Sequence, residues 1–328
     1  MLSFLSQTEA EAQMNQLGTS NTAFFFILSF DLEHNWVIPQ SEWATFPFGF
    51  DFPTLKHTIL DPRQSLQSFD LRPQLPEFSI FHKQFQQVQY HLRRGDSYLI
   101  NLTFEVPILL QDPLEQVFLN TEAPYKLFLK DHFTSFSPEC FVKIQQDHIF
   151  TYPMKGTIST SVPDAADRIL RDEKETAEHY TIVDLLRNDL SQIGYQTQVQ
   201  KFRFLSTIKK RDQELLQVSS EISARLPSQW QQEIGSLLFR LLPAGSISGA
   251  PKQKTVEIIA QTESHLRDWY TGVAGWYKDG ELDSAVLIRY IGHRDGQYHY
   301  KTGGGITLLS DPQKEYQELA EKIYIPTA

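Results

Sequence analysis

Five consecutive apolar residues, Phe24-Phe25-Phe26-Ile27-Leu28, follow a polar N-terminal stretch, and a run of this length predicts a buried strand. Residues 78–94 carry a helical pattern that stops at Arg93-Arg94-Gly95-Asp96, with cations in the last turn and glycine after it. Residues 97–107 alternate as a strand, and Leu127-Phe128-Leu129 and Phe141-Val142-Lys143-Ile144 are further short strands. The longest helical region is 164–194, where Val183, Leu186 and Leu190 form an apolar stripe. Residues 196–226 read as mixed, and 229–241 and 252–266 as helical. Strands are predicted at 271–277, 284–291 and 298–301, and a last helix at 312–324. The prolines and aromatics of 37–75 predict irregular connections with short elements. Helices and strands mingle without a βαβ rhythm, which favours α+β.

Composition narrows the function. The 328 residues are 41% hydrophobic and 21% charged, as in an ordinary globular protein. The net charge of -10 and the lack of a long basic run argue against nucleic acid as a partner. The single cysteine, Cys140, allows no intrachain disulfide and no cysteine-rich zinc site, and beside Phe141 it reads as a small buried residue. No secretory signal stands out and the apolar run at 23–30 is too short to span a bilayer, so a cytoplasmic location without membrane contact is the expectation.

Several stretches could carry chemistry. Lys155, in Pro153-Met154-Lys155-Gly156-Thr157, sits at the expected end of a strand entering a tight loop; partial desolvation or a neighbouring cation would lower its pKa and free a nucleophilic amine. Glu175 and Glu178 share a helix face, either as an exposed acidic helix start or as ligands for Mg²⁺. Ser310 with Gln313 fits a capping box, and Glu315, Glu318 and Lys322 line one face of the helix that follows. The stretch 242–252 is rich in glycine and serine but lacks the Gly-Lys-Ser/Thr ending of a phosphate loop, so Ser246 and nearby amides are candidates for a carboxylate instead. Gly303-Gly304-Gly305 permits a turn or a close backbone approach, Arg289 on an apolar strand calls for a carboxylate partner, and Glu139 after Pro138 is either a turn residue or a general acid.

Taken together and in order, these motifs resemble the chorismate-utilising enzymes, which include anthranilate synthase component I, aminodeoxychorismate synthase component I and isochorismate synthase. The resemblance spans about residues 78–324. It rests on Ser137-Pro138-Glu139, Pro153-Met154-Lys155-Gly156-Thr157, Lys174-Glu175 with Ala177-Glu178-His179, Arg187-Asn188-Asp189-Leu190, Pro243-Ala244-Gly245-Ser246, Gly303-Gly304-Gly305-Ile306, and Ser310-Asp311-Pro312 with Glu315 and Glu318. It implies one large α+β domain, with two orthogonally packed antiparallel sheets flanked by helices and the active site in the central cleft. Residues 1–77 would form a short N-terminal part packed on the same fold, and 78–328 the chorismate-binding region.

Lysine before Gly156-Thr157 is similar to aminodeoxychorismate synthase component I, whereas anthranilate synthases typically carry alanine there. The implied reaction joins chorismate and ammonia, the latter from a separate glutamine amidotransferase subunit, into 4-amino-4-deoxychorismate for 4-aminobenzoate and folate synthesis. In the implied roles Lys155 is the covalent nucleophile and Glu139 the general acid/base. Glu178 and Glu315, with Glu318 beside them, would hold Mg²⁺. Arg289, Tyr270, Lys322, Gly304, Gly305, Ser246 and Thr157 would bind the substrate. Arg203 stands where the family often has the histidine associated with pyruvate loss, which disfavours a lyase step, and Leu99 stands where glutamine is usual. The alternatives are an anthranilate or isochorismate synthase and a non-catalytic chorismate-binding paralogue.

Overall fold

The computed structural model describes residues 3–60, 69–210 and 213–327. Residues 61–68, within the stretch read as irregular, and 211–212, within the stretch read as mixed, lie outside the described residues. Among those described, the strands form two antiparallel sheets of nine strands each. The first sheet runs Met154–Ser159, Gln213–Arg225, His148–Thr151, Cys140–Gln145, Glu281–Val286, Val273–Lys278, Phe24–Leu28, Trp36–Pro39, with Tyr195–Lys210 also paired to Gln213–Arg225. The second runs Gly249–Ala250, Leu99–Leu109, Gln297–Ile306, Tyr290–Arg294, Phe133–Ser137, Tyr125–Leu129, Phe48–Asp51, Lys56–Thr58, with Arg72–Pro73 also on Leu99–Leu109. Residues before 78 thus supply strands to both sheets.

The apolar run at Phe24 shows how the layers stack. Successive side chains of a strand point to opposite faces. Phe24, Phe26 and Leu28 pack with the helices Gln7–Thr19, Glu173–Ser191 and Ile234–Leu241. Phe25 and Ile27 join Phe48, Phe50 and Phe52 in a core between the sheets, where Phe25 stacks on Phe50 with ring centroids 4.4 Å apart. A third cluster packs the helices Phe78–Arg93, Lys252–Thr262 and Pro312–Glu321 on the outer face of the second sheet. The order is helices, sheet, sheet, helices, and it explains why this strand shows no polar alternation.

Several expectations change. The strand expected over 284–291 is two strands, Glu281–Val286 in the first sheet and Tyr290–Arg294 in the second, joined by a corner at 287–289. Arg289 occupies that corner with φ 53°, so it does not lie on a strand. The stretch 164–194 is two helices, Ala165–Arg171 and Glu173–Ser191, because Asp172 is extended and caps the second through Glu175 N at 2.9 Å. The described residues of the mixed stretch 196–226 lie mostly in two long paired antiparallel strands, Tyr195–Lys210 and Gln213–Arg225. Helices at Gln7–Thr19 and Leu114–Asn120 were not expected. The last helix is capped by Asp311, which accepts from the amides of Gln313 and Lys314, while Ser310 Oγ accepts from Thr307 N; the expected Ser310–Gln313 capping box is absent.

A buried ion pair fastens the two sides of the fold under the cleft. Glu263 and Arg267 are each 2% exposed and meet at 2.7 Å. Glu263 also accepts from Thr103 N and Oγ1, and Arg267 donates to the carbonyls of Ile247 and Asn101. Removing one partner of such a pair strands the other without compensation. Glu263→Ala is expected to lower stability by about 3–5 kcal/mol, read from urea denaturation.

Candidate active site

The twelve residues singled out from the sequence line one cavity of about 450 Å³: Glu139, Lys155, Thr157, Glu178, Ser246, Tyr270, Arg289, Gly304, Gly305, Glu315, Glu318 and Lys322. Both sheets contribute walls, Met154–Ser159 from the first, Leu99–Leu109 and Gln297–Ile306 from the second, and two helices supply carboxylates.

Lys155 lies within the strand Met154–Ser159, not in a loop beyond it. The pairing with Gln213–Arg225 shifts register between Met154 and Thr157, and Gly156 adopts φ +81°. Such a bulge re-aims one side chain without ending the strand. The Lys155 amine donates to Glu178 Oε2 at 3.0 Å, with its side chain 26% exposed. Burial pushes the amine pKa down, but Glu178, Glu175 and Glu318 outweigh it and hold the pKa above the ordinary lysine value. The expectation of a lowered pKa is therefore corrected. The neighbours within reach are carboxylates, and they favour the charged amine.

Glu139 follows the strand Phe133–Ser137 and faces the cavity. Its carboxylate accepts a short hydrogen bond from Ser246 Oγ. Burial raises its pKa, and Ser246 and Lys155 offset only part of the rise. Ser246 comes from the turn Gly245–Ser248, which the sequence marked as a possible anion loop. Lys252, at the end of that stretch, binds Asp189 Oδ2 at 2.9 Å and the Leu241 carbonyl at 2.8 Å, so it is committed to the fold.

Glu175 and Glu178 project from the helix Glu173–Ser191 into the cavity, while Val183, Leu186 and Leu190 on the same helix are buried in the core. Opposite, Glu315, Glu318 and Lys322 face inward from the last helix and its C-cap. Lys322 Nζ bonds Glu318 Oε1 at 2.6 Å and the Gly303 carbonyl at 2.9 Å, and burial lowers its pKa against the pull of Glu318. Arg289 donates to the Lys322 carbonyl at 2.9 Å, which fixes the guanidinium against the end of that helix. Tyr270 is 4% exposed, and burial keeps its phenol protonated.

The three glycines lie in the strand Gln297–Ile306 and do not form a turn. A Cβ on Gly303 would fall 2.4 Å from the Leu102 carbonyl. One on Gly304 would sit 3.3 Å from Lys322 Nζ and 3.7 Å from Glu315 Oε2; one on Gly305, 3.4 Å from Lys155 Nζ. Bare backbone at these positions keeps open the space between the charged groups.

The donor set suits a hard cation. Mg²⁺ takes one or two protein carboxylates together with water and substrate oxygens. Glu178 and Glu315, from facing helices, offer this, with Glu318 next to Glu315. Among the described residues no three His, Cys, Asp or Glu side chains already stand in a metal-holding group, so oxygens from a bound substrate would have to complete the shell.

Asn101, Gln217 and Tyr300 also line the cavity, and the sequence reading missed them. Alternation along Leu99–Leu109 puts Asn101 on the side of Leu99, which was a usable signal; Gln217 had none. Arg203 is not among the lining residues. Its backbone amide donates to Ser220 Oγ at 2.9 Å and its guanidinium to the Ile169 carbonyl at 3.3 Å. Ser220 Oγ also meets His179 Nε2 at 2.7 Å, so His179 serves the packing behind the site; burial lowers its pKa to about 4. Burial pushes the Cys140 thiol up to about 12, which leaves it unreactive. Among the described residues no helix is long and apolar enough to cross a membrane.

A cleft between two antiparallel sheets, with cations able to meet carboxylates, a carboxyl group of raised pKa and an amine, is the site of an enzyme acting on a small anionic molecule. The chain belongs to the chorismate binding enzyme family, which matches residues 53–328. It is therefore a chorismate-utilising enzyme. It is 47% identical over 314 residues to an "uncharacterized PabA-like protein" of Haemophilus influenzae, covering 96% of this chain and 95% of that one. It is 34% identical to aminodeoxychorismate synthase component 1 of Salmonella typhimurium over 74% of this chain, and the match spans 56% of that relative. MenF, the menaquinone-specific isochorismate synthase of Escherichia coli, shares the fold with a TM-score of 0.73 at 16% identity, over 98% of this chain and 82% of that one.

Proposed function

We propose that the protein is an aminodeoxychorismate synthase that joins chorismate and ammonia into 4-amino-4-deoxychorismate, the precursor of 4-aminobenzoate and folate. The observation that carries this reading is Lys155, an amine aimed by a bulge into a cavity that also holds a carboxyl group of raised pKa. The neutral amine adds at C2 of chorismate, the two conjugated ring double bonds shift to C1=C6 and C4=C5, and the C4–oxygen bond breaks. Glu139 gives its proton to the departing oxygen, which leaves as water. Ammonia then adds at C4, both double bonds shift back, the Lys155–C2 bond breaks to release the free amine, and Glu139 recovers a proton from the new amine. Two easier displacements replace one difficult one.

Arg289, Tyr270, Lys322, Ser246, Thr157 and the backbone at Gly304 and Gly305 orient the two substrate carboxylates. Mg²⁺ held by Glu178 and Glu315, with Glu318 nearby, would offset the charge of the dianion. Among the described residues lining the cavity there is no histidine, and Arg203 points elsewhere, which supports amination without pyruvate loss. Ammonia would come from a glutamine amidotransferase subunit, and free ammonia at alkaline pH would substitute for it.

The test is product analysis by mass spectrometry after incubation with chorismate, Mg²⁺ and an ammonium salt. Aminodeoxychorismate is expected. Anthranilate with pyruvate, or isochorismate, would replace this reading with another reaction of the family.

A further inference from the structure

Lys301 is a buried lysine that the mechanism above does not use. It is 6% exposed, and it lines the catalytic cavity on one side and a smaller space of about 290 Å³ on the other. Its amine lies 2.8 Å from the Leu266 carbonyl, 3.1 Å from the Arg267 carbonyl and 3.4 Å from Glu105 Oε2. An ammonium group has three N–H donors, and these partners account for all of them. None is left for a molecule in the cavity, so what Lys301 contributes passes through the backbone that it holds. Burial lowers its pKa, and Glu105 and Asp268 restore part of the loss.

That backbone leads into Tyr270, which lines the cavity. The Arg267 carbonyl accepts from Tyr270 N at 3.0 Å as well as from Lys301. Asp268 and Thr271, on either side of Tyr270, have φ 54° and 62°. A threonine, branched at Cβ, seldom enters this left-handed region and stays there only where its surroundings hold it. Thr271 N is tied to the Leu287 carbonyl at 2.7 Å at one end of the turn, and Lys301 clamps the other end.

We propose that Lys301 is a positioning residue for substrate binding, which clamps the carbonyls of Leu266 and Arg267 and thereby sets Tyr270 against chorismate. The inference rests on the reading that Tyr270 orients a substrate carboxylate, and it names the residue that keeps Tyr270 in place.

The experiment is a double-mutant cycle. Lys301→Met keeps an apolar stem and removes the donors; Tyr270→Phe removes only the hydroxyl. The wild type, both single variants and the double variant are assayed for chorismate consumed, with Mg²⁺ and ammonium chloride present. Lys301→Met is expected to raise KM for chorismate about tenfold while kcat changes less than about threefold. Added to Tyr270→Phe, it is expected to raise KM less than about twofold further, because the two residues act through one contact. A lysine that only supports the fold would raise KM by the same factor in both backgrounds; that result, or an unchanged KM in Lys301→Met, overturns the inference. Should Lys301→Met fail to fold, Lys301→Gln, which retains an amide donor but no charge, is taken through the same cycle and decides. Tyr270→Phe without effect on KM removes the substrate role of Tyr270 and this inference with it. A Tyr270→Phe effect to which that of Lys301→Met is additive removes the inference alone. Conversion to another product of the family leaves the cycle readable, because it counts chorismate consumed.

Discussion

Lys155→Ala is expected to lower formation of aminodeoxychorismate by at least about 10³-fold while chorismate affinity changes only a few-fold. The size follows from the role. The amine forms a bond only during reaction, so its loss falls on kcat, whereas Arg289, Lys322 and Tyr270 continue to hold the substrate. Kinetics with free ammonia give the first quantity and equilibrium dialysis the second. Undiminished turnover would remove the covalent role. The raised pKa of Lys155 adds a pH signature: the amine is protonated at neutral pH, so only the fraction that has lost its proton can react. Mass spectrometry of quenched wild-type enzyme should find the chorismate-derived adduct on the peptide containing Lys155.

Glu139→Gln is expected to cost about 10²–10⁴-fold in kcat, the usual worth of a positioned proton donor. Glutamine keeps the shape and the contact with Ser246 but has no proton of the right acidity. Because burial raises the Glu139 pKa, the wild-type carboxyl stays protonated to higher pH than an ordinary glutamate, and its ionisation then sets a falling limb. The reaction needs Lys155 neutral and Glu139 protonated at once, so wild-type activity does not keep rising on the alkaline side; in Glu139→Gln, which has no proton to lose, what activity remains should rise as Lys155 loses its proton. A variant with full activity and an unchanged profile would move the acid role to another group.

Much of the cleft was legible because its chemistry is written in residue types that stand out locally. A lysine in Pro-Met-Lys-Gly, paired acids at helical spacing and three successive glycines each mark one place, and their order supplied the family. What could not be read locally depended on partners distant in sequence. The glycines left a turn and a close backbone approach both open; they make the close approach, inside a strand whose neighbour, Leu99–Leu109, lies far earlier in the chain. The pKa of Lys155 was expected to fall through desolvation or a nearby cation; the carboxylates that raise it, Glu175, Glu178 and Glu318, come from two separate helices and could not be placed beside it. The apolar run Ala285-Val286-Leu287-Ile288 leads on to Tyr290 and Ile291, and nothing in it reveals that the chain changes sheets at Arg289. The helix Gln7–Thr19 was missed because only Ala10, Met14 and Gly18 are buried on its weakly apolar face.

The pairing of Phe24–Leu28 with Val273–Lys278 has a consequence for biosynthesis. Phe24 leaves the ribosome early, but its neighbour Tyr277 is not made until most of the message has been read. Contacts so distant in sequence close slowly. During that interval an apolar segment with no mate is open to association with other nascent chains, so yield in the cell should depend on chaperone supply and on slow growth at low temperature.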